Sequence, residues 1–334
     1  LTTNAPGRIV NAPRIDLSAI LPMPQTRRSF LHTAAALPVS AAFSHLGARS
    51  LEAHRQPAPE RKGQPKKAVL VSMLPKGSYV ERFTIGRDAG FVATELHTTP
   101  NPAEAEEARA ASEKTGLVIH SVMNSDHWRL PLSSADPEVV KKSVAGMETS
   151  LRNAKLWGAG TVLLVPAVVN AETSYAQAWT RSQQVIRERI LPLAAELKVV
   201  VAIEEVWNKF LLSPLEMARY VDEFKSPWVK AYFDVGNVVF YGFPQDWIRT
   251  LGPRIARLHL KDFKLDRSKG VFEWKNLGEG DIDWPAVRQA LTDIGYDGYM
   301  TTEISGGDAA YLKDVSTRID RFLAGEKPVA AGSI

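Results

Sequence analysis

The sequence predicts an α/β fold: a single-domain (β/α)8 TIM barrel preceded by an unstructured N-terminal leader. Three observations carry this. Apolar runs of β type alternate strictly with segments of helical period, and there are eight such pairs. No glycine-rich phosphate loop follows the first run, which disfavours the competing doubly wound open sheet.

The candidate strands are 68–74 (AVLVSML), 91–97, 116–122, 161–167, 199–205, 229–235, 255–261 and 299–305. Helical candidates lie between and after them, near 78–89, 101–115, 137–157, 174–197, 213–225, 244–251, 283–294 and 308–324. Punctuation agrees with this order. Asp136-Pro137 and Ser213-Pro214 each give an N-cap followed by proline in the first turn, and Gly90, Gly116, Gly158 and Gly295 stand where helices must stop. In Gly278-Glu279-Gly280 the glycines are read as shaping a turn into a helix capped by Asp281 or Asp283.

Ahead of the barrel, residues 1–48 are expected to be a leader carrying a Tat-type export signal: Arg27-Arg28-Ser29-Phe30-Leu31 runs into a weakly apolar stretch ending near Ala48. That stretch, broken by Pro38, is too short and too weakly apolar for a stable membrane anchor. The expectation is therefore export through the Tat machinery and a periplasmic or exported, bacterial location. Residues 49–67 are proline-rich and charged and read as a linker, 68–326 as the barrel and 327–334 as a tail.

Net charge points the same way once it is divided. Residues 1–67 hold 10 Lys+Arg against 3 Asp+Glu, so the remainder holds 31 against 34 and is slightly acidic. A nucleic-acid partner gains no support from that balance. The chain has no cysteine, which excludes thiolate metal sites, disulfides and cysteine nucleophiles. Oligomeric state, including a homo-oligomer, is left open.

In a barrel of this kind chemistry gathers at the C-terminal strand ends. Those ends carry His97, His120, Glu204, Glu205, Asp234, His259 and Glu303. Taken singly, each has a structural alternative: a satisfied histidine at the core edge, or a carboxylate in a salt bridge. Together, three carboxylates and an imidazole on one rim suggest a divalent cation, because their mutual repulsion would otherwise cost stability. Oxygen donors with one nitrogen suit Mn2+, Mg2+, Co2+ or Zn2+. Such an ion, bridging a sugar carbonyl and its neighbouring hydroxyl, acidifies the C–H between them and stabilises a metal-bound enediolate. Glu204 and Glu303 are then placed as the catalytic acid–base pair. Candidates for touching the substrate are Asn237, Lys261, Asp262, Trp207, Asn208, His120, His127 and Glu205, all in or near the same strand ends.

The segments VAIEEVWNKFLLSP, YFDVGNVVFYGFPQDWIRTLG, RIARLHLKDF, NLGEGDIDW and TTEI resemble the xylose isomerase-like TIM-barrel superfamily over about residues 68–324. Within it they are most similar to the L-ribulose or L-xylulose 5-phosphate 3-epimerase and ketose 3-epimerase branch. The resemblance implies one divalent metal ion, often Mn2+, bound by Glu204, Asp234, His259 and Glu303, with both glutamates doubling as acid and base. Glu205 competes with Glu204: alignment on Phe210–Ser213 favours Glu204, and counting back from Asn208 favours Glu205. The expected activity is sugar epimerisation or isomerisation. Export favours a free sugar or sugar derivative over a phosphorylated one.

Two other readings compete. The same superfamily includes endonuclease IV-type hydrolases with three zinc ions, which carry a histidine three residues beyond the strand-6 aspartate. Asn237 stands there in this chain, and only His97, His120, His127 and His259 lie within the barrel. An exported sugar-binding barrel without turnover is the other. It would need no opposed pair of carboxylates.

Overall fold

The computed structural model describes residues 63–330; the proposed export signal and residues 49–62 of the linker lie outside the described residues. Ten strands form: β1 Lys66–Leu70, β2 Ala93–His97, β3 Val118–Met123, β4 Thr161–Leu164, β5 Val200–Glu204, β6 Val229–Asp234, β7 Ile255–Leu260, β8 Asp262–Asp266, β9 Val271–Lys275 and β10 Tyr299–Thr302. Eight of them close a parallel barrel in the order β1-β10-β7-β6-β5-β4-β3-β2. The first strand begins at Lys66, inside the segment expected to be linker. Strands β4 and β10 stop three residues earlier than expected, so Glu303 stands just beyond its strand, although its N–H still donates to the Leu260 carbonyl at 3.0 Å.

The helices are α1 Tyr79–Ala89, α2 Pro102–Thr115, α3 Pro137–Trp157, α4 Tyr175–Val185, α5 Leu191–Leu197, α6 Pro214–Asp222, α7 Pro244–Leu251, α8 Trp284–Asp293 and α9 Ala309–Leu323. Their starts are set by short polar side chains: Asp136, Ser213 and Asp283 each accept a backbone N–H of the first turn. Between α4 and α5 the helix widens into a π turn over Ile186–Ile190, where Leu191 N–H reaches back to the Ile186 carbonyl. Pro192 explains it, because a proline cannot donate the bond that an α-helical register requires there.

Apolar side chains fill the space between strands and helices, with Val162, Leu164, Val201, Phe233 and Leu258 fully enclosed, while Leu163 packs with Ala202 and Tyr232 in a separate cluster. That burial is what the near-continuous apolar strands require in a parallel sheet covered by helices. Among the described residues no helix is long and apolar enough to cross a membrane.

The sequence reading lacked one element. After β7 the chain forms the antiparallel hairpin β8–β9, in which Phe263 pairs with Trp274 and Leu265 with Phe272. Asp262 anchors its base. This carboxylate is fully buried and accepts Gly278 N–H and Trp284 Nε1–H, each at 2.9 Å, and Phe263 N–H at 2.9 Å. Gly280 allows the close approach, since a Cβ there would lie 2.1 Å from Asp262 Oδ1. Asp262 is thus spent on the backbone of its own loop and is not turned toward a substrate, contrary to expectation.

Asp262→Ala should strip partners from several buried donors at once and lower unfolding free energy by about 3 kcal/mol in urea titrations.

Candidate metal centre

Four adjacent barrel strands deliver four donors to one point. Glu204 ends β5, Asp234 ends β6, His259 is the penultimate residue of β7, and Glu303 follows β10. The register places Asp234 beside His259 and His259 beside Thr301, so the side chains emerge at one level. One ligand atom from each of the four lies within 4.8 Å of the others. Donors on opposite sides of an ion with bonds of about 2.1 Å are about 4.2 Å apart, so a divalent cation fits this cluster after only small adjustments. The donor chemistry fits equally well, with carboxylate oxygens and one imidazole nitrogen.

His259 is fully buried and oriented from behind. Its Nε2 lies 2.7 Å from Glu95 Oε2, while Nδ1 faces the cluster at 2.9 Å from Glu204 Oε1 and 3.3 Å from Glu303 Oε2. With the Nε2–H donating to Glu95, the Nδ1 lone pair is left for a cation. Glu95, in β2, was absent from the sequence reading. A carboxylate within the predicted strand FVATELH is the available signal, but Glu95 lies in mid-strand, away from the strand ends where site residues are expected.

Asp234 is fixed just as firmly. Its Oδ1 accepts the Gly236 N–H at 2.7 Å and the Asn237 N–H at 3.0 Å, which turns Oδ2 toward the cluster. Glu205 points away from the donors; its Oε1 accepts the Asp234 N–H at 2.9 Å, and its carbonyl accepts Asn237 Nδ2–H at 2.9 Å. The geometric grouping therefore contains Glu204 and omits Glu205. Lys261 supplies positive charge, with Nζ 2.8 Å from Asp234 Oδ2 and 2.7 Å from Glu303 Oε2.

The electrostatics follow from crowding and burial. Burial pushes Glu204 up to about 7, with repulsion from Glu303 and Asp234 adding to it and His259 opposing. Burial, together with Glu204 and Asp234, also holds Glu205 well above the usual carboxylate range. Glu303 goes the other way: burial would raise it, but the positive charge of His259 and Lys261 holds it far below that range. For His259, burial is outweighed by the negative charge of Glu303, Glu95 and Glu204, which raises it well above the usual histidine value.

The other expected substrate residues divide. Trp207 lies at the mouth, its Nε1–H donating to the Asn237 carbonyl at 2.9 Å. His127 is buried close enough to feel Glu303; burial lowers it to about 4, leaving a neutral imidazole. Asn208 does not face the mouth, because Nδ2 donates to the Ala167 carbonyl at 2.6 Å and Oδ1 accepts Phe210 N–H at 3.1 Å. His120 is also a correction. It is buried in the barrel, hydrogen-bonded through Nε2 to Thr301 Oγ1 at 2.8 Å and stacked on Tyr299.

Residues 83–321 match the sequence pattern of the family described as xylose isomerase-like TIM barrel. The chain belongs to this family. SgbU of Escherichia coli is 27% identical to it over 240 residues, covering 68% of this chain and 84% of that one. The L-ribulose-5-phosphate 3-epimerase UlaE of Salmonella paratyphi A is 25% identical over 243 residues, covering 69% and 84%. Among solved structures, a D-tagatose 3-epimerase-like protein superposes with a TM-score of 0.66 at 19% identity, over 78% of this chain and 97% of that one.

Two outcomes are expected from the cluster. Because Glu204 and His259 must give up protons to bind a cation, Mn2+ affinity should strengthen as pH rises from about 6 to about 8, with proton release seen in calorimetry in buffers of different ionisation enthalpy. Glu95→Gln, which removes the charge behind His259, should weaken Mn2+ binding by about tenfold in the same titration.

Proposed function

We propose that this chain is a metal-dependent sugar epimerase or isomerase that moves a proton on the carbon next to a carbonyl. The coarse class, an isomerase acting on a sugar, follows from family membership and from relatives named as sugar epimerases. The single observation that carries the finer reading is the convergence of Glu204, Asp234, His259 and Glu303.

A divalent ion held there, Mn2+ in our reading, would polarise the sugar carbonyl and the adjacent hydroxyl. Everything else falls to the chain. Glu204 and Glu303 enter from β5 and from the end of β10, separated in the barrel by β6 and β7. In this reading they face the reacting carbon from two sides. One carboxylate takes the proton and the other returns a proton to the opposite face, which inverts the centre. Lys261, between Asp234 and Glu303, holds Glu303 ionised and ready to act as the base. Glu204, raised to about 7, is suited to acting as the acid near neutral pH. Asn237 takes no part in a histidine-rich cluster, since its amide braces the Glu205 carbonyl, and this supports one metal rather than three.

Export of the folded chain through the Tat system, and a free sugar as the substrate, remain part of this proposal on the strength of Arg27-Arg28 and the segment after it.

Solvent deuterium should enter the substrate next to its carbonyl when Mn2+-loaded protein is incubated with a panel of free ketoses and aldoses. Chelation should abolish the exchange and Mn2+ should restore it. Glu204→Gln and Glu303→Gln should each slow it by about a thousandfold while leaving the circular dichroism spectrum intact. Exchange unaffected by either substitution would refute the assigned roles.

A further inference from the structure

The aromatic surface beside the cluster is larger than one sugar ring needs. Trp274, on β9, lies with its ring centroid 4.8 Å from Lys261 Nζ, and Lys261 touches both Asp234 and Glu303. Gly236 allows this approach, because a Cβ there would stand 2.5 Å from Lys261 Cγ and 3.1 Å from Trp274 Cζ3. From Trp274 the rings continue outward. Trp207 is 5.0 Å away and nearly parallel, Phe240 lies 5.4 Å from Trp207, and Phe272 lies 6.0 Å from Phe240. Trp207, Trp274 and Phe272 remain 39%, 46% and 48% exposed. On a folded surface, large aromatic groups clustered and left open at the edge of a polar site mark a binding region.

We propose that the hairpin β8–β9, together with Trp207, forms a subsite for a second ring. The substrate would then be a disaccharide or other glycoside, its reacting sugar at the cluster and its second ring against the aromatic surface. This rests on the sugar isomerase reading and names its substrate class. A pyranose suits such a surface because its C–H faces are apolar and can be taken out of water against an indole or phenyl ring.

A phosphate group does not suit it. The hairpin region 261–275 carries Lys261, Lys264, Arg267, Lys269 and Lys275, and every one is engaged. Lys261 serves Asp234 and Glu303, Lys264 pairs with Asp281, Lys269 with Asp266 and Lys275 with Glu273, while Arg267 donates to the Phe240 carbonyl. A dianion arriving there would compete with a carboxylate already seated on each of the four lysines. Position adds a further argument. In the barrel order β7, which leads into the hairpin, lies opposite β3, whose following loop carries His127 and the exposed Trp128. The mouth is bordered by aromatic groups on opposite staves.

The test uses full-length Mn2+-loaded protein and calorimetric binding of palatinose, lactulose and cellobiose beside fructose, fructose 6-phosphate and glucose. At least one disaccharide should bind about tenfold more tightly than its monosaccharide and than the phosphate. Phe272→Ala should reduce that ratio at least about fivefold, and Phe272→Tyr should restore it. Phe272→Ala should keep the parent's circular dichroism spectrum and fructose affinity, so that a change in the ratio is not a loss of structure. Equal or better binding of fructose or its phosphate, no binding of any disaccharide, or a ratio insensitive to Phe272→Ala would overturn the subsite. So would loss of a dimer in Phe272→Ala without a change in the ratio, which would assign the surface to self-association. Absence of deuterium exchange in any bound sugar would instead count against the isomerase reading, with the binding ratio still deciding the subsite.

Discussion

A crowd of buried carboxyl groups is the constraint around which this barrel is built. Glu204, Glu205 and Asp234 are buried near one another at the C-terminal end of the strands, with Glu95 buried behind His259 and Glu303 at their edge. Water is not there to screen them, so the fold must supply compensation. Part of it comes from His259 and Lys261, part from N–H groups directed at Asp234 Oδ1 and Glu205 Oε1. A divalent cation, in the function proposed above, would supply the remainder, and stability and chemistry would then draw on the same set of groups.

Much of this was legible in the chain. Eight apolar runs divided by capped helices indicate a parallel sheet covered on both faces, and their number, with no glycine-rich loop after the first, favours a closed barrel over an open doubly wound sheet. The acids at Glu204, Asp234 and Glu303 stood out because each ends or follows an apolar run, where a carboxylate needs a reason to be. What failed was inference from proximity in sequence. Asp262 sits one residue from Lys261 and two from the end of β7's buried run, yet its carboxylate holds the loop that follows. Asn208 and His120 likewise carry polar groups that satisfy neighbours within the fold. Strand period explains His120: alternate residues of β3 face inward, and an inward residue below the rim meets the barrel interior instead of the mouth.

Glu95 and the hairpin escaped for opposite reasons. Glu95 is remote in sequence from His259, and nothing local says that two residues 164 positions apart share a hydrogen bond. The hairpin is local, but its strands are short, half-exposed and rich in charge, so they resemble a polar loop. Its aromatic residues make sense only after Trp207 and Phe240 are seen beneath them. Side chains that look misplaced on a loop become a continuous surface once the barrel brings the loops together.

The order of the donors along the chain has its own consequence. Glu204, Asp234 and His259 come from neighbouring staves, but the fourth donor waits for the strand that also joins β7 to β1 and shuts the cylinder. Sealing the barrel and completing the four-donor cluster are the same event. An incompletely closed chain cannot bring all four side chains together, so under the proposed function metal loading would report on assembly as well as on catalysis.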